Sequence, residues 1–290
     1  MRILDAQSRQ ALAIEASQAV ARKYRVQPGH PTVLKDTNHT IVHLRPSPIV
    51  AKVSVEKRFR QRSSSLEREV QVAGLLAGCS APVVRPCRIL PPGPHRTARA
   101  ELTFWDYCPA DMSGSVKADE VGKSLRAMHN ALLELGPSLP PLPHFTLQLD
   151  EADELLQRAT PVPQLPDLDR LFLLKLSSRI KEALRKRHFE NQPVHGECNA
   201  EQTILTAAGL VWLDFEAACT GPKEWDLAML DDASVKAYGA VDPSLISLMR
   251  SARTLCITTW CWTQPDRAPE VREAAEYHLE RLKCMAPQWT

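Results

Sequence analysis

The sequence predicts an α+β chain, strand-rich in its first third and mainly helical beyond it. Three observations carry that expectation. Short apolar runs with strand character, separated by Pro, Gly and Asn, fill the first third of the chain. From Asp119 onward the apolar residues recur at helical spacing. Between the helices one block, residues 193–226, breaks the pattern. It holds a loop opened by Pro193, two apolar runs around Ala207-Ala208-Gly209, and Asp214 at the end of the second run. That reads as a loop, a β-hairpin and a carboxylate delivered at a strand's tip.

In chain order, residues 6–23 hold helix formers without Gly or Pro and predict an N-terminal helix, stopped by Pro28-Gly29-His30-Pro31. Residues 32–34, 40–44 and 49–55 read as three strands, with Asp36-Thr37-Asn38-His39 as the loop between the first two and Pro46 and Pro48 marking the next turn. Lys52 sits in Ile49-Val50-Ala51-Lys52-Val53, where apolar neighbours would hold its stem. Taken alone it reads equally as an edge-strand lysine facing water. The basic run 57–62 contains one aromatic and is short, so it reads as a solvated loop rather than a nucleic-acid surface.

Ser64 and Glu67 have capping-box spacing, and Leu66, Val70, Ala73 and Leu76 follow at helical spacing up to Gly78. Residues 83–90 and 101–107 read as strands around Pro91-Pro92-Gly93-Pro94. Trp105 and Tyr107 suit a core or a ligand contact equally. A domain boundary is expected after Tyr107, giving 1–107 and 108–290. Helices are then expected over 119–135, 150–159, 167–187, 244–262 and 269–285. His129 reads as a packed or solvated histidine.

The block at 193–226 resembles the aminoglycoside phosphotransferase family, which also contains choline-kinase-like members. The resemblance implies the protein-kinase-like bilobal α+β fold, with a small N-terminal antiparallel-sheet lobe carrying one key helix and a larger, mainly helical C-terminal lobe. The family's loop runs His-Gly-Asp-x-His-x-x-Asn, followed by a hairpin ending in Asp-Phe-Glu and then Gly-Pro-x-x-Trp-Asp-Leu-Ala. This chain has His195-Gly196-Glu197-Cys198-Asn199-Ala200-Glu201-Gln202, then Asp214-Phe215-Glu216, then Gly221-Pro222-Lys223-Glu224-Trp225-Asp226-Leu227-Ala228. Order and spacing agree. The family's Asp is Glu197 here, its second His is Asn199 and its Asn is Gln202.

The resemblance implies a kinase that uses ATP (or GTP) and Mg²⁺ to phosphorylate a hydroxyl of a small molecule. Glu197 would be the catalytic carboxylate, and Asp214 and Gln202 the metal ligands. Lys52 would reach the phosphates, oriented by Glu69, which matches the family's Glu-Val step; spacing alone does not decide between Glu67 and Glu69. Asn38 would lie in the nucleotide loop, and the segment with Trp105 and Tyr107 would run into the adenine-binding hinge. His195 and Asp226 would brace the catalytic loop. Asp231 and Asp232 would face a cationic substrate or end a helix in water. Because three loop residues differ from the family pattern, a nucleotide-binding pseudokinase or regulatory module lacking phosphotransfer is the alternative.

Composition sets the remaining bounds. Hydrophobic residues make up 44% and charged ones 24%, which is ordinary for a globular protein, and no apolar run approaches the ~20 residues of a membrane span. Asp5, Arg9 and Glu15 interrupt the N-terminus, so it does not read as a secretory signal. Eight cysteines without a C-x-x-C pair suggest free thiols, and a cytoplasmic location follows as the default. The net charge of +2 conceals a split: 17 Lys and Arg against 8 Asp and Glu up to Tyr107, a net of +9, and 19 against 26 beyond it, a net of −7. A basic half suits phosphates, and an acidic half suits a cationic partner. Neither nucleic acid nor a membrane is expected as a partner, and a monomer is the default.

Overall fold

A computed structural model describes residues 4–37, 39–55, 65–158, 164–263, 265 and 269–285. Asn38, Ser64 and the basic run 57–62 lie outside them. Among the described residues, no helix is long and apolar enough to cross a membrane. The chain divides into two units, residues 1–141 with 200–218 and residues 142–199 with 219–290.

The first unit is organised by a five-stranded antiparallel sheet. Its strands are β1 (Thr32–Asp36), β2 (Thr40–His43), β3 (Ile49–Ser54), β4 (His95–Arg96) and β5 (Glu101–Asp106), in the order β1-β2-β3-β5-β4. Strand parity decides where each β3 side chain goes. Ile49, Ala51 and Val53 are fully buried in a core with Val42, Leu44, Leu102 and Phe104, and with Ala13, Val20 and Ala21 of helix α1 (Ala6–Lys23). Lys52, between them, must point to the opposite face. Its backbone is central, opposite Ile41 on β2 and Thr103 on β5. The edge-strand reading of Lys52 therefore does not apply.

Helix α2 (Ser65–Gly78) buries Leu66, Glu69, Val72, Ala73 and Leu76. These form one stripe at spacings of three and four, and Glu69 lies within it whereas Glu67 is exposed. Helix α3 (Ala118–Leu135) has an apolar stripe of Val121, Leu125, Met128 and Leu132, with His129 fully buried beside it.

One expected strand is absent. Residues 83–90 make isolated bridges only: Val84 N–H donates to Trp212 O at 2.8 Å and Cys87 N–H to Phe104 O at 2.9 Å. Pro82, Pro86 and Pro91 remove the donors that a continuous ladder needs. The hairpin β7 (Thr203–Thr206) and β8 (Gly209–Trp212) joins this unit through those bridges and through Trp212, whose indole N–H donates to Ser124 on α3 at 3.0 Å. That packing ties α3 and the hairpin to the sheet within the first unit.

The second unit is mainly helical, with α4 (Leu147–Gln157), α5 (Asp167–Arg185), α6 (Lys223–Leu227), α7 (Asp232–Tyr238), α8 (Pro243–Thr263) and α9 (Pro269–Met285). Helix α8 is buried along most of its length and runs through the core, against Leu149, Leu156, Leu173, Ile180, Ala275 and Leu279 from its neighbours. Two short strands, β6 (Gln192–Val194) and β9 (Cys219–Gly221), pair antiparallel, with Val194 opposite Cys219. This pairing fixes both ends of the 195–199 loop segment's approach: β6 leads into His195, and β9 leads into the helix that carries Asp226.

Candidate active site

The first unit holds a charge cluster on the Lys52 face of the sheet. The Lys52 ammonium lies 2.8 Å from Glu69 Oε1, 2.8 Å from Asp214 Oδ1 and 2.6 Å from Glu216 Oε1. Three elements supply these groups because of local geometry already described. Strand parity presents Lys52, the stripe of α2 presents Glu69, and the chain leaving β8 presents Asp214 and Glu216. Asp214 adopts left-handed backbone angles (φ 70°, ψ 63°), and a single 3₁₀ turn (Phe215–Ala217) follows it. A non-glycine residue in that region costs on the order of 1–3 kcal/mol and persists where its surroundings impose it. Here the turn places two carboxylates, two residues apart, on the same lysine.

Glu216 has further partners. His39 Nε2 lies 2.7 Å from Glu216 Oε1, Ser65 Oγ donates to Glu216 Oε2 at 3.4 Å, and Arg68 donates to the Glu216 carbonyl. Three carboxylates thus face Lys52 and His39 in a buried setting, and their protonation follows from the competition. Burial works against the charge of Lys52, but Asp214, Glu216 and Glu69 outweigh it and hold the ammonium well above the ordinary lysine value. Burial would likewise raise Glu216, yet His39 and Lys52 keep it well below the usual carboxylate range; Asp214 is lowered in the same way, chiefly by Lys52. Glu69 is the most deeply buried of the three and goes the other way: desolvation pushes it up to about 8, with Lys52 offsetting only part of that.

Carboxylate oxygens of Glu69, Asp214 and Glu216 lie within 4.8 Å of one another, the donor set a divalent cation would meet. Glu69 Oε2 is buried without a hydrogen-bond partner. Hard oxygen donors with surplus negative charge fit Mg²⁺. Gln202 is adjacent along the hairpin, its carbonyl accepting from Leu213 N–H at 3.0 Å.

The second unit holds the loop at 195–199. Asp226 is 1% exposed, and its two carboxylate oxygens accept the backbone N–H groups of His195 (2.7 Å) and Gly196 (2.8 Å). Trp225 donates its indole N–H to the Gly196 carbonyl at 3.2 Å. Gly196 has φ +85°, which its lack of a side chain permits. Glu197 N–H donates to His195 Nδ1 at 3.3 Å, so the fully buried His195 presents that nitrogen unprotonated. Cys198, also buried, has its thiol pushed well up by burial and by Asp226.

Other expected site residues have structural partners. Trp105 is 7% exposed and donates to Thr103 Oγ1 at 2.9 Å, and Tyr107 stacks on His43 with ring centroids 4.0 Å apart. Both side chains are thereby engaged within the unit. Asp36, at the start of the expected nucleotide loop, takes Arg9 at 2.8 Å and Thr40 Oγ1 at 2.9 Å, and this ties the end of β1 to α1 and β2. Asp231 caps α7, accepting from Ser234 N–H at 2.8 Å, and Asp232 pairs with Arg250 at 2.8 Å. Asp231 thus stands at a helix end, and Asp232 begins that helix. Sequence reasoning gave no role to Glu216 or His39. The Asp-x-Glu step was a signal for Glu216, and nothing in the sequence singled out His39.

A strand lysine clasped by a helix glutamate and by the carboxylate that follows a hairpin, together with a backbone-braced His-Gly-Glu loop, defines the class as a kinase-like phosphotransferase. The model of the phosphotransferase enzyme family (APH) matches residues 14–241, and the chain belongs to that family. No curated protein matches it in sequence. Among solved structures it is similar to a microcompartment-associated aminopropanol kinase (12% identity, TM-score 0.70, 91% of this chain and 94% of that one). It is also similar to a choline/ethanolamine kinase family protein from Mesorhizobium loti (14% identity, TM-score 0.69, 96% and 95%). A third is the GDP complex of wild-type aminoglycoside 2'-phosphotransferase-IIIa (14% identity, TM-score 0.66, 93% and 99%). At these identities the likenesses establish the fold. Family membership establishes the class, a nucleotide-dependent small-molecule kinase.

Proposed function

We propose that the protein transfers the γ-phosphoryl group of ATP or GTP to a hydroxyl of a small, amine-bearing molecule. The observation that carries this reading is the Lys52 cluster, in which one strand lysine is held by three carboxylates, one from α2 and two from the turn that follows β8. Lys52 would neutralise the non-transferring phosphates, with Glu69 orienting it. Asp214, Gln202 and Glu216 would hold Mg²⁺, which supplies charge neutralisation at the phosphates. Asn38 would contact the nucleotide from its loop, and the backbone between Trp105 and Tyr107 would receive the base.

Glu197 would accept a hydrogen bond from the acceptor hydroxyl and take its proton as the phosphoryl group departs. Positioning and charge neutralisation contribute most of the rate in such transfers. Glu is one methylene longer than Asp, roughly 1.5 Å, and Gln202 lengthens its own position by the same amount. The two extensions keep carboxylate and amide chemistry at both sites. Three features support an amine-bearing acceptor: the net charge of −7 beyond Tyr107, and the aminopropanol and choline/ethanolamine names of two structural neighbours.

The test is acceptor-dependent ADP or GDP release by the purified protein with Mg²⁺ and a panel of amino alcohols, choline, amino sugars and aminoglycosides. Glu197→Gln should lower kcat by roughly 10²–10⁴ without abolishing nucleotide binding. Unaltered turnover in that variant would contradict the role given to Glu197, and preference for a neutral sugar over every amine would contradict the acceptor class.

A further inference from the structure

Arg253 lies within α8 and is 1% exposed. Its guanidinium carbon stands 4.9 Å from the ring centroid of Trp225 and 5.9 Å from that of Trp260, so two indole faces receive a buried cation. One guanidinium N–H donates to Gln148 Oε1 on α4 at 2.6 Å. The other end of that amide, Gln148 Nε2, donates to the Gly196 carbonyl at 3.1 Å. Gln148 is itself 8% exposed.

The direction of this relay is fixed by chemistry. A guanidinium only donates and a carbonyl only accepts, so one orientation of the Gln148 amide satisfies both neighbours. The flipped amide would set N–H against N–H at Arg253 and oxygen against oxygen at Gly196. Arg253 therefore dictates which end of Gln148 meets the loop. The Gly196 carbonyl and the Glu197 N–H belong to one planar peptide group. Its oxygen is held by Gln148 and Trp225, and its N–H by His195 Nδ1. Holding both edges of a planar group sets the position of the next Cα, which is that of Glu197.

We infer that Arg253 and Gln148 are positioning residues for Glu197, acting through the Gly196–Glu197 peptide. Asp226 holds the N-terminal side of Gly196 and the Arg253–Gln148 relay holds its C-terminal side. The catalytic consequence rests on the proposed function; the grip on the peptide does not.

The experiment compares Gln148→Glu, Arg253→Met and Arg253→Lys with the wild type by hydrogen exchange of the 192–199 backbone amides and by steady-state kinetics. Gln148→Glu is isosteric and keeps an acceptor for Arg253, but it replaces the donor to Gly196 with an oxygen. The amides of 195–197 should exchange roughly three- to tenfold faster, the scale of one lost buried hydrogen bond, with α9 exchange unchanged. kcat should fall roughly ten- to a hundredfold with little change in nucleotide KM, as expected for a misplaced catalytic group. Arg253→Met should loosen the same amides. Arg253→Lys, which retains a donor for Gln148 Oε1, should restore much of their protection and of kcat.

Unchanged exchange at 195–197 in both Gln148→Glu and Arg253→Met would overturn the inference, whatever the kinetics. Uniformly faster exchange across α8, α9 and the loop, unrelieved by Arg253→Lys, would also overturn it, by reducing the relay to core packing. A wild type without turnover but with selective loosening in Gln148→Glu would contradict the proposed function and leave the positioning inference standing.

Discussion

Replacing Lys52 by Met tests the electrostatic core of the first unit. The variant keeps the stem among its apolar neighbours and removes the ammonium that lies 2.6–2.8 Å from Glu69, Asp214 and Glu216. Breaking a buried ion pair by deleting one partner costs about 3–5 kcal/mol, because the charge left behind is uncompensated. At ~2–4 °C per kcal/mol for a cooperative body of 150–250 residues, melting should fall by about 6–20 °C.

The effect must depend on pH, with a defined sign. In the wild type, Asp214 and Glu216 are held below the ordinary carboxylate value, so their contribution is present above it and is lost as pH falls. Glu69 is raised to about 8, so its contribution is present below the ordinary carboxylate value and is lost as pH rises through about 8. Without Lys52, Asp214 and Glu69 lose their chief cation and Glu216 keeps only His39, so the carboxylates take up protons more readily and the variant is penalised most where they must ionise. The deficit relative to wild type should be small at pH 5 and full at pH 8. Scanning fluorimetry at the two pH values measures it. Equal deficits at both, or a deficit under ~2 °C at pH 8, would refute the reasoning.

Three further outcomes are expected. Glu216→Gln should weaken Mn²⁺ binding, read by isothermal titration, by roughly ten- to a hundredfold, the scale of changes around a metal; unchanged affinity would remove Glu216 from the metal site. Asp231→Ala should cost about 1 kcal/mol of stability as a lost helix cap and leave acceptor KM unchanged, whereas a raised KM would support the substrate role. Gly221→Ala should destabilise by about 1–3 kcal/mol through overpacking, since a Cβ there would stand 2.9–3.1 Å from the Phe145 ring; an unaltered denaturant midpoint would contradict that packing.

Local signals carried much of the fold. Helix α1 and helix α9 fall where helix formers and Gly/Pro punctuation placed them, and the hairpin at 203–212 follows its two apolar runs. Residues 83–90 misled because their apolar content suggests a strand while their prolines forbid the ladder. Helices α6 and α7 are too short to show a period. The extent of the first unit depends on α3 and the hairpin packing beside the sheet, which is a long-range fact. At the site, Lys52, Asp214 and the loop at 195–199 were legible because each sits in a run with a distinctive local order. Glu69 needed the stripe of α2 to separate it from Glu67. Gln148 and Arg253 are 105 residues apart in sequence and meet only in the folded core, so no spacing could have paired them.

The most direct test of a Lys52–Asp214 nucleotide and metal site is thermal melting with ATP, GTP or ADP, with and without Mg²⁺, for the wild type and Asp214→Asn. A nucleotide at a hundred times its Kd stabilises by ~2.7 kcal/mol. The wild type should show a Mg²⁺-dependent upward shift with ATP or GTP, and Asp214→Asn should lose the Mg²⁺-dependent part. No shift in the wild type with any nucleotide, or an undiminished Mg²⁺-dependent shift in Asp214→Asn, would contradict the account.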